Sequence, residues 1–306
     1  MKKICVLASL YFVLLNQPLK AQYYYYNNKY YEPDWVMEFG LTGGVMNSIT
    51  DLGGKKGKGG NFIKDLCWKT ARPAYGGYIM GTYKDVLGIR LEMTVGKVAG
   101  FDSILKNVAS STYGRYERNL SFESKISEFQ LGLEFYPLNL RSPDTDGEPL
   151  RLSPYGTVGA SYYSFDPQAN LNGQWYSLQP LHTEGQGFKE YRDRKPYKLH
   201  QINYTMGMGL KYELSPMFNI RVELLHRILT TDYLDDVSTT YIDPNLFSNY
   251  LTPNQAAIVQ KLYNRKPELN PNDGTLPGDQ RGDPSDKDAY FTIMLKIGVM
   301  FGRPPR

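Results

Sequence analysis

Residues 291–301 read FTIMLKIGVMF. Phe291, Ile293, Leu295, Ile297, Val299 and Phe301 hold six successive odd positions, with Thr292, Met294, Lys296, Gly298 and Met300 between them. A period of two puts the odd set on one face of a β-strand and the even set on the other. One face is unbroken hydrocarbon, and the other carries a lysine, a threonine and a glycine. The same alternation recurs at 87–95 (Leu87, Ile89, Leu91, Met93, Val95), 129–135 (Phe129, Leu131, Leu133, Phe135), 202–212 and 218–224. Weaker versions occupy 35–44, 73–83 and 153–165. The pattern predicts eight strands of 10–14 residues.

Strands of globular domains are usually about 5–6 residues long, whereas a tilted strand that crosses a bilayer needs about 9–11. An even strand number, one apolar face and one polar face therefore predict an all-β fold, an eight-stranded antiparallel transmembrane β-barrel over 35–302. Only a closed barrel leaves no unpaired backbone edge in lipid. The 26 tyrosines and the aromatic residues near predicted strand ends (Trp35, Tyr83, Tyr136, Tyr155, Tyr212, Tyr290, Phe301) suit interfacial girdles. A lipocalin-like barrel or a β-sandwich also alternates; strand length, export and tyrosine content favour the membrane.

Several classes are excluded. A formal charge of +4 over 306 residues is too weak a balance for a nucleic-acid partner. No apolar run after residue 15 is long enough for a membrane helix, and mean hydropathy is −0.46. The first 21 residues read as a cleaved secretory signal: Lys2 and Lys3, an apolar stretch 4–15, then Ala21 before Gln22. Cys67 is then the single mature cysteine, which rules out an internal disulfide. Residues 22–34 form a tyrosine-rich arm containing YYYYNNKYY at 23–31, read as a polar-aromatic arm or a docking arm.

The connections alternate in length. Those at 45–72, 98–124, 166–198 and 229–288 are long, and those at 84–85, 138–152 and 213–216 are shorter. Outer-membrane barrels keep short turns in the periplasm and long loops outside, which makes both chain ends periplasmic. The barrel's polar face carries Glu38, Glu92, Glu128, Glu134 and Glu223 against Arg90, Lys211, Arg221, Arg227 and Lys296. An eight-stranded barrel has room inside only for side chains. Five acids and five bases there predict an interleaved charge network and a plugged lumen.

Catalytic chemistry finds little support. His200 and His226 fall on the outward face near the long-loop rim. His200 is followed by Gln201-Ile202 and His226 by Arg227-Ile228, so neither presents a serine two residues on. The expectation is a non-enzymatic chain without a cofactor or a resident metal. GGKKGKGG at 53–60 lacks the spacing of a phosphate loop and reads as a flexible basic tip, in a loop of net charge +4. Loop 229–288 has ten acids against five bases and reads as a solvated acidic loop. Its Arg281-Gly282-Asp283 tripeptide is weak evidence for adhesion, and Asp283, Asp286 and Asp288 depart from an EF-hand spacing.

Residues 231–238, Thr-Asp-Tyr-Leu-Asp-Asp-Val-Ser, follow directly on the seventh predicted strand, with Tyr241 just beyond and Asp51-Leu52-Gly53 after the first. With the signal ending Lys20-Ala21-Gln22, they resemble a Bacteroidota family of small outer-membrane barrels that includes PorG of the type IX (Por) protein secretion system. The likeness spans 35–245 and the closing strand; the long 245–288 insertion and the tyrosine arm depart from it. The resemblance implies an outer-membrane location, lipid contact and a non-enzymatic role: anchoring a periplasmic ring built from a lipoprotein and its partner. It directs attention to the turn 138–152, where Arg141, Asp144, Asp146, Glu148 and Arg151 are the docking candidates. Of the motif residues Asp232, Tyr233, Asp235 and Asp236, the three aspartates are expected to tie the outer loop together by pairing with loop or rim bases. A stand-alone surface or adhesion barrel and a small-molecule channel are the alternatives.

Overall fold

The computed structural model describes residues 34–53, 68–108, 112–140, 150–272 and 274–302. The signal sequence, the tyrosine arm except Asp34, the basic tip from residue 54, and Cys67 lie outside them.

Nine strands lie among the described residues: β1 (Trp35–Ile49), β2 (Arg72–Tyr83), β3 (Leu87–Phe101), β4 (Ser121–Phe135), β5 (Leu152–Leu171), β6 (Gln174–Ser177), β7 (His200–Glu213), β8 (Phe218–Leu229) and β9 (Ala289–Phe301). Eight of them close into an antiparallel barrel in the order β4-β3-β2-β1-β9-β8-β7-β5, with β5 returning to β4. The chain ends seal it through β1 and β9, in register from Met37↔Phe301 to Ile49↔Ala289. The β4–β5 seam runs from Glu123↔Gln168 to Phe135↔Gly156. No barrel strand keeps an edge, which in hydrocarbon would cost several kcal/mol per unpaired group.

The alternation sorts side chains as the pleat requires. Phe39, Leu41, Ile79, Leu91, Phe129, Leu131, Met208, Leu210, Leu295 and Ile297 stand exposed on the outside, Leu41 to 75%. A continuous apolar belt of this kind faces lipid, not water. Trp35 and Tyr83 meet as tilted rings, centroids 5.1 Å apart, at the short-turn end, where Phe135, Tyr212 and Phe301 also face outward. Tyr136, Tyr155 and Tyr290, expected in the girdles, are instead buried in the lumen or at its mouth. Tyr155 shares parity with Ser153, Thr157 and Ser161, and Tyr290 with Thr292 and Lys296, so the pleat turns both rings inward.

Strands β1, β3, β4 and β5 run further toward the long-loop end than the alternation suggests. The largest difference is β5, 20 residues long, whose tip pairs with β6 as a hairpin. The hairpin turns at Asn172-Gly173, both with positive φ (53° and 86°), the backbone that Asn-Gly supplies for a two-residue turn.

The last long loop is folded, contrary to the solvated reading. Helices α2 (Phe247–Tyr250) and α3 (Pro253–Leu262) lie in it; a further helix, α1 (Tyr113–Arg118), precedes β4. Thr252 caps α3 reciprocally with Gln255, and Ala256, Val259 and Leu262 form its buried stripe. That stripe joins Ala169, Leu178, Leu181, Phe188, Ile242 and Phe247 in a core separate from the barrel. A second apolar cluster, including Leu52, Phe122, Tyr163, Phe165, Leu234 and Tyr290, fills the mouth between barrel and cap.

Candidate functional site

The lumen is crossed by charge pairs anchored on different strands. Arg90 on β3 donates to Glu134 on β4. It also reaches Glu223 on β8 with two bonds, of 2.7 and 3.1 Å. Its Nε lies 3.0 Å from Glu92. Lys296 on β9 sits 2.6 Å from Glu92 and 2.8 Å from Glu223. Arg221 on β8 donates to Glu38 on β1, to Glu134 at 2.9 Å, and to the Tyr136 hydroxyl at 2.8 Å. Tyr78 donates to Glu38, and Tyr155 donates to Glu223 at 2.9 Å. Arg90, Arg221 and Lys296 are fully buried.

A second layer lies nearer the long-loop end. Arg227 binds Glu128 at 2.9 Å, and Asn203 donates to Glu128 and to Tyr290 at 3.2 Å each. Gln130 donates to Thr205 between the layers at 2.9 Å. Nine of the ten expected network residues thus meet acid to base. Lys211 makes its ion pair with Glu213, 2.6 Å away and absent from the expected set, and lies 5.8 Å from the ring of Tyr136 at the short-turn end of the network. Glu213 shares Lys211's inward parity but ends the strand, where the alternation gives no cue.

Buried pairs are retained only where geometry is good and the remaining polar atoms are satisfied, because desolvating each ion costs several kcal/mol. Here each central carboxylate touches at least two donors. A concavity of about 1110 Å³ at mid-barrel is lined by outward Phe39, Leu41, Ile79 and Leu91 and also by inward Tyr78, Glu92, Gln130 and Ser161.

The cap is a second polar assembly. Asp235 accepts from Leu52 N (3.1 Å) and Val237 N (2.9 Å), and Asp288 from Leu234 N (2.8 Å). Asp51 accepts from Asp283 N (2.7 Å). Arg118 holds Asp102 through two bonds and caps the carbonyls of Asp51 and Arg281. Arg281, the first residue of the RGD tripeptide, is buried and paired with Glu184 at 2.8 Å; Asp236 lies 4.0 Å from it.

The four motif residues therefore sit together, but mainly not by base pairing. Asp236 has Arg281, with Thr183 and Tyr197 hydroxyls donating to it. Asp235 takes backbone amides instead, and Tyr233 stacks on Tyr197 at 4.9 Å. The carboxylate oxygens of Asp232 are buried, with the Ser238 side chain as their polar neighbour. Burial and the neighbouring acids Asp235, Asp51 and Glu184 push Asp232 up to about 8, against the opposing pull of the Ser238 side chain. Burial, with Asp51 beside it, likewise raises Asp235 to about 8. Burial raises Asp51 and Asp236 to about 6 each, and it holds Asp288 well above the ordinary carboxylate range.

Of the docking candidates, Arg141, Asp144, Asp146 and Glu148 lie outside the described residues; Arg151 is within them, just before β5. Beside that turn, Leu138, Leu140, Leu150 and Leu152 are exposed. His200 faces outward against Tyr162, and His226 is half-buried on β8, a strand without a serine. Among the described residues, no group of three or more His, Cys, Asp and Glu has the geometry to hold a metal ion.

No protein-family model matches the chain, and no curated protein matches it. Solved structures with a similar chain path are small outer-membrane barrels. Ail, the attachment invasion locus protein of Yersinia pestis, in complex with the heparin analogue sucrose octasulfate, is 12% identical. That match covers 87% of this chain and 99% of the other, at a TM-score of 0.35. The N-terminal β-barrel domain of Pseudomonas aeruginosa OprF is 10% identical over 87% and 97%, at 0.32. Neisserial surface protein A is 8% identical over 87% and 96%, also at 0.32. At these scores the fold assignment rests on the chain's own strand pairing.

Proposed function

We propose that this chain is a non-enzymatic outer-membrane scaffold that anchors a periplasmic ring of the type IX secretion machinery. The observation that carries the scaffold reading is the lumen, crossed by Arg90, Arg221, Arg227 and Lys296 with their glutamates. A barrel filled this way offers its ends and not its interior for work. The secretion role is supported by the resemblance of 231–238 and 51–53 to the barrel family that includes the secretion component. In that reading the short-turn end faces the periplasm. The turn 138–152, with Arg141, Asp144, Asp146, Glu148 and Arg151 flanked by exposed Leu138 and Leu140, receives the ring lipoprotein and its partner.

The test is an affinity pull-down of tagged protein from detergent-solubilised outer membranes, read by mass spectrometry, for wild type and for a chain with 141–149 replaced by a short Gly-Ser turn. The reading expects the ring lipoprotein and its partner with wild type and their loss with the replacement, the barrel still running as a folded band. Recovery of the barrel alone from wild type would remove the secretion role.

One observation favours a second reading, a stand-alone surface barrel. The cap carries its own apolar core around Phe188, Phe247, Val259 and Leu262, an investment in structure beyond what joining strands requires. In that case the pull-down returns no ring, and the binding surface lies on the cap.

A further inference from the structure

The cap places more carboxyl groups in one buried region than it has described cations to match. Asp51 comes from the β1–β2 loop, Asp102 from the end of β3 and Glu184 from the β6–β7 connection. Asp232, Asp235, Asp236 and Asp288 come from the β8–β9 connection. Among the described residues, the ion pairs they make are to two guanidiniums. Arg118 on α1 takes Asp102, and Arg281 takes Glu184 and approaches Asp236. Arg118 also faces Asp51 and Asp235 with opposing charge, Tyr163 faces Asp288 from β5 below, Tyr197 donates to Asp236, and Asp283 lies at the exposed rim. Lys55, Lys56 and Lys58, next along the chain from Gly53, lie outside the described residues.

Three of the carboxyls outside those ion pairs also tie the cap together. Asp235 holds Leu52 of the first loop, Asp51 holds Asp283 of the last, and Asp288 holds Leu234 across the base of the last loop. Ionising Asp51, Asp232, Asp235 and Asp288 together sets like charges against one another at low dielectric. Each proton bound relieves that repulsion and leaves a carboxyl oxygen free to accept the same amide.

We infer that the cap is a proton-dependent clamp: neighbouring carboxyl groups share one buried site by carrying protons, so the loops close as the medium acidifies and loosen as it turns alkaline. The sign follows from linkage. A carboxyl whose folded value is raised binds its proton more tightly when the cap is closed. Its contribution to closure is complete below the ordinary value near 4 and is lost as pH rises through the folded value. With Asp51 and Asp236 raised to about 6, and Asp232 and Asp235 to about 8, the loss spans roughly pH 4 to 8.

The experiment is hydrogen exchange on the full mature chain in lipid nanodiscs with EDTA present, at pH 6.0 and 8.5, with rates divided by intrinsic rates. The clamp predicts that protection of peptides covering Leu52, Leu234 and Val237 falls at least tenfold at the higher pH, while barrel strands keep theirs. Asp232→Asn mimics the protonated group at a carboxylate that ties no loop, and Asp235→Asn does so at a tie. Each is expected to raise cap protection at pH 8.5 and flatten its pH dependence. Should Asp235→Asn disturb folding, Asp232→Asn alone decides. Equal protection at both pH values in wild type, or an Asp232→Asn variant as pH-dependent as wild type, would overturn the clamp.

Discussion

Replacing Arg227 with methionine isolates one buried pair of the sealed lumen. Arg227 and Glu128 are each about 1% exposed and meet through Nε and Nη2 at 3.1 and 2.9 Å. Among the described ion pairs, Arg227 is the partner of Glu128; Asn203 adds a neutral donor at 3.2 Å. Methionine fills a similar volume, so the packing loss is small and most of the cost comes from a carboxylate left buried without its counter-charge. Such a loss costs about 3–5 kcal/mol. With a urea slope of about 2–3 kcal/mol/M, the unfolding midpoint falls by about 1–2.5 M. The assay is urea unfolding in lipid vesicles, followed by tryptophan fluorescence and by the heat-dependent shift in gel mobility. Arg227→Met/Glu128→Gln removes the stranded charge and is expected to recover at least half of the loss, a non-additivity characteristic of coupled neighbours. A single variant within about 0.5 kcal/mol of wild type, or a double variant no better than the single, would refute the idea that these charges depend on each other in a dry interior.

Two further outcomes follow from the same geometry. Arg118→Met strands buried Asp102 and frees the carbonyls of Asp51 and Arg281. Proteolysis and exchange across 112–120 and 281–288 are expected to accelerate while the barrel's gel shift is unchanged; an unaltered cap would show that α1 is not its tie. At Gly40 an added Cβ would stand 2.3 Å from the Tyr78 ring, whose hydroxyl serves Glu38. Gly40→Val is expected to cost about 1–3 kcal/mol in the urea assay. Gly43→Val, on the outward face with its nearest neighbour at 3.9 Å, is expected to be neutral.

The barrel is legible in the sequence because lipid enforces the period. Leu295, Ile297 and Phe301 stand out toward hydrocarbon, and a slip of one would bury Lys296 in it. The same parity identifies the lumen face, and with it Arg90, Glu134, Arg221 and Glu223. It also assigns Tyr155 and Tyr290 inward, where an appeal to aromatic girdles misplaces them. Which acid meets which base is not legible, because Arg90 finds Glu223 across 133 positions of chain through barrel closure alone.

The cap is less readable for two different reasons. Some of its signals are local and present: Asn172-Gly173 marks the β5–β6 hairpin, and Thr252-Pro253-Asn254-Gln255 is a capping box ahead of an apolar stripe. The capping box is masked by the acidic, polar composition of loop 229–288. The carboxyl cluster is of another kind. Asp51, Asp102, Glu184, Asp235 and Asp288 come from four separate connections, and charge counting along one segment makes the acids look solvated. Only the closed barrel, by holding all the loop ends in one ring, brings them together.

The central claim is that the lumen is sealed by its own side chains. Reconstitution of the purified chain into planar lipid bilayers tests it most directly, with ion current recorded at about ±100 mV in molar potassium chloride. With the Arg90, Arg221 and Lys296 layer in place, insertion without stepwise conductance is expected. Stable, repeatable current steps from correctly folded protein would contradict the sealed lumen and make the chain a channel.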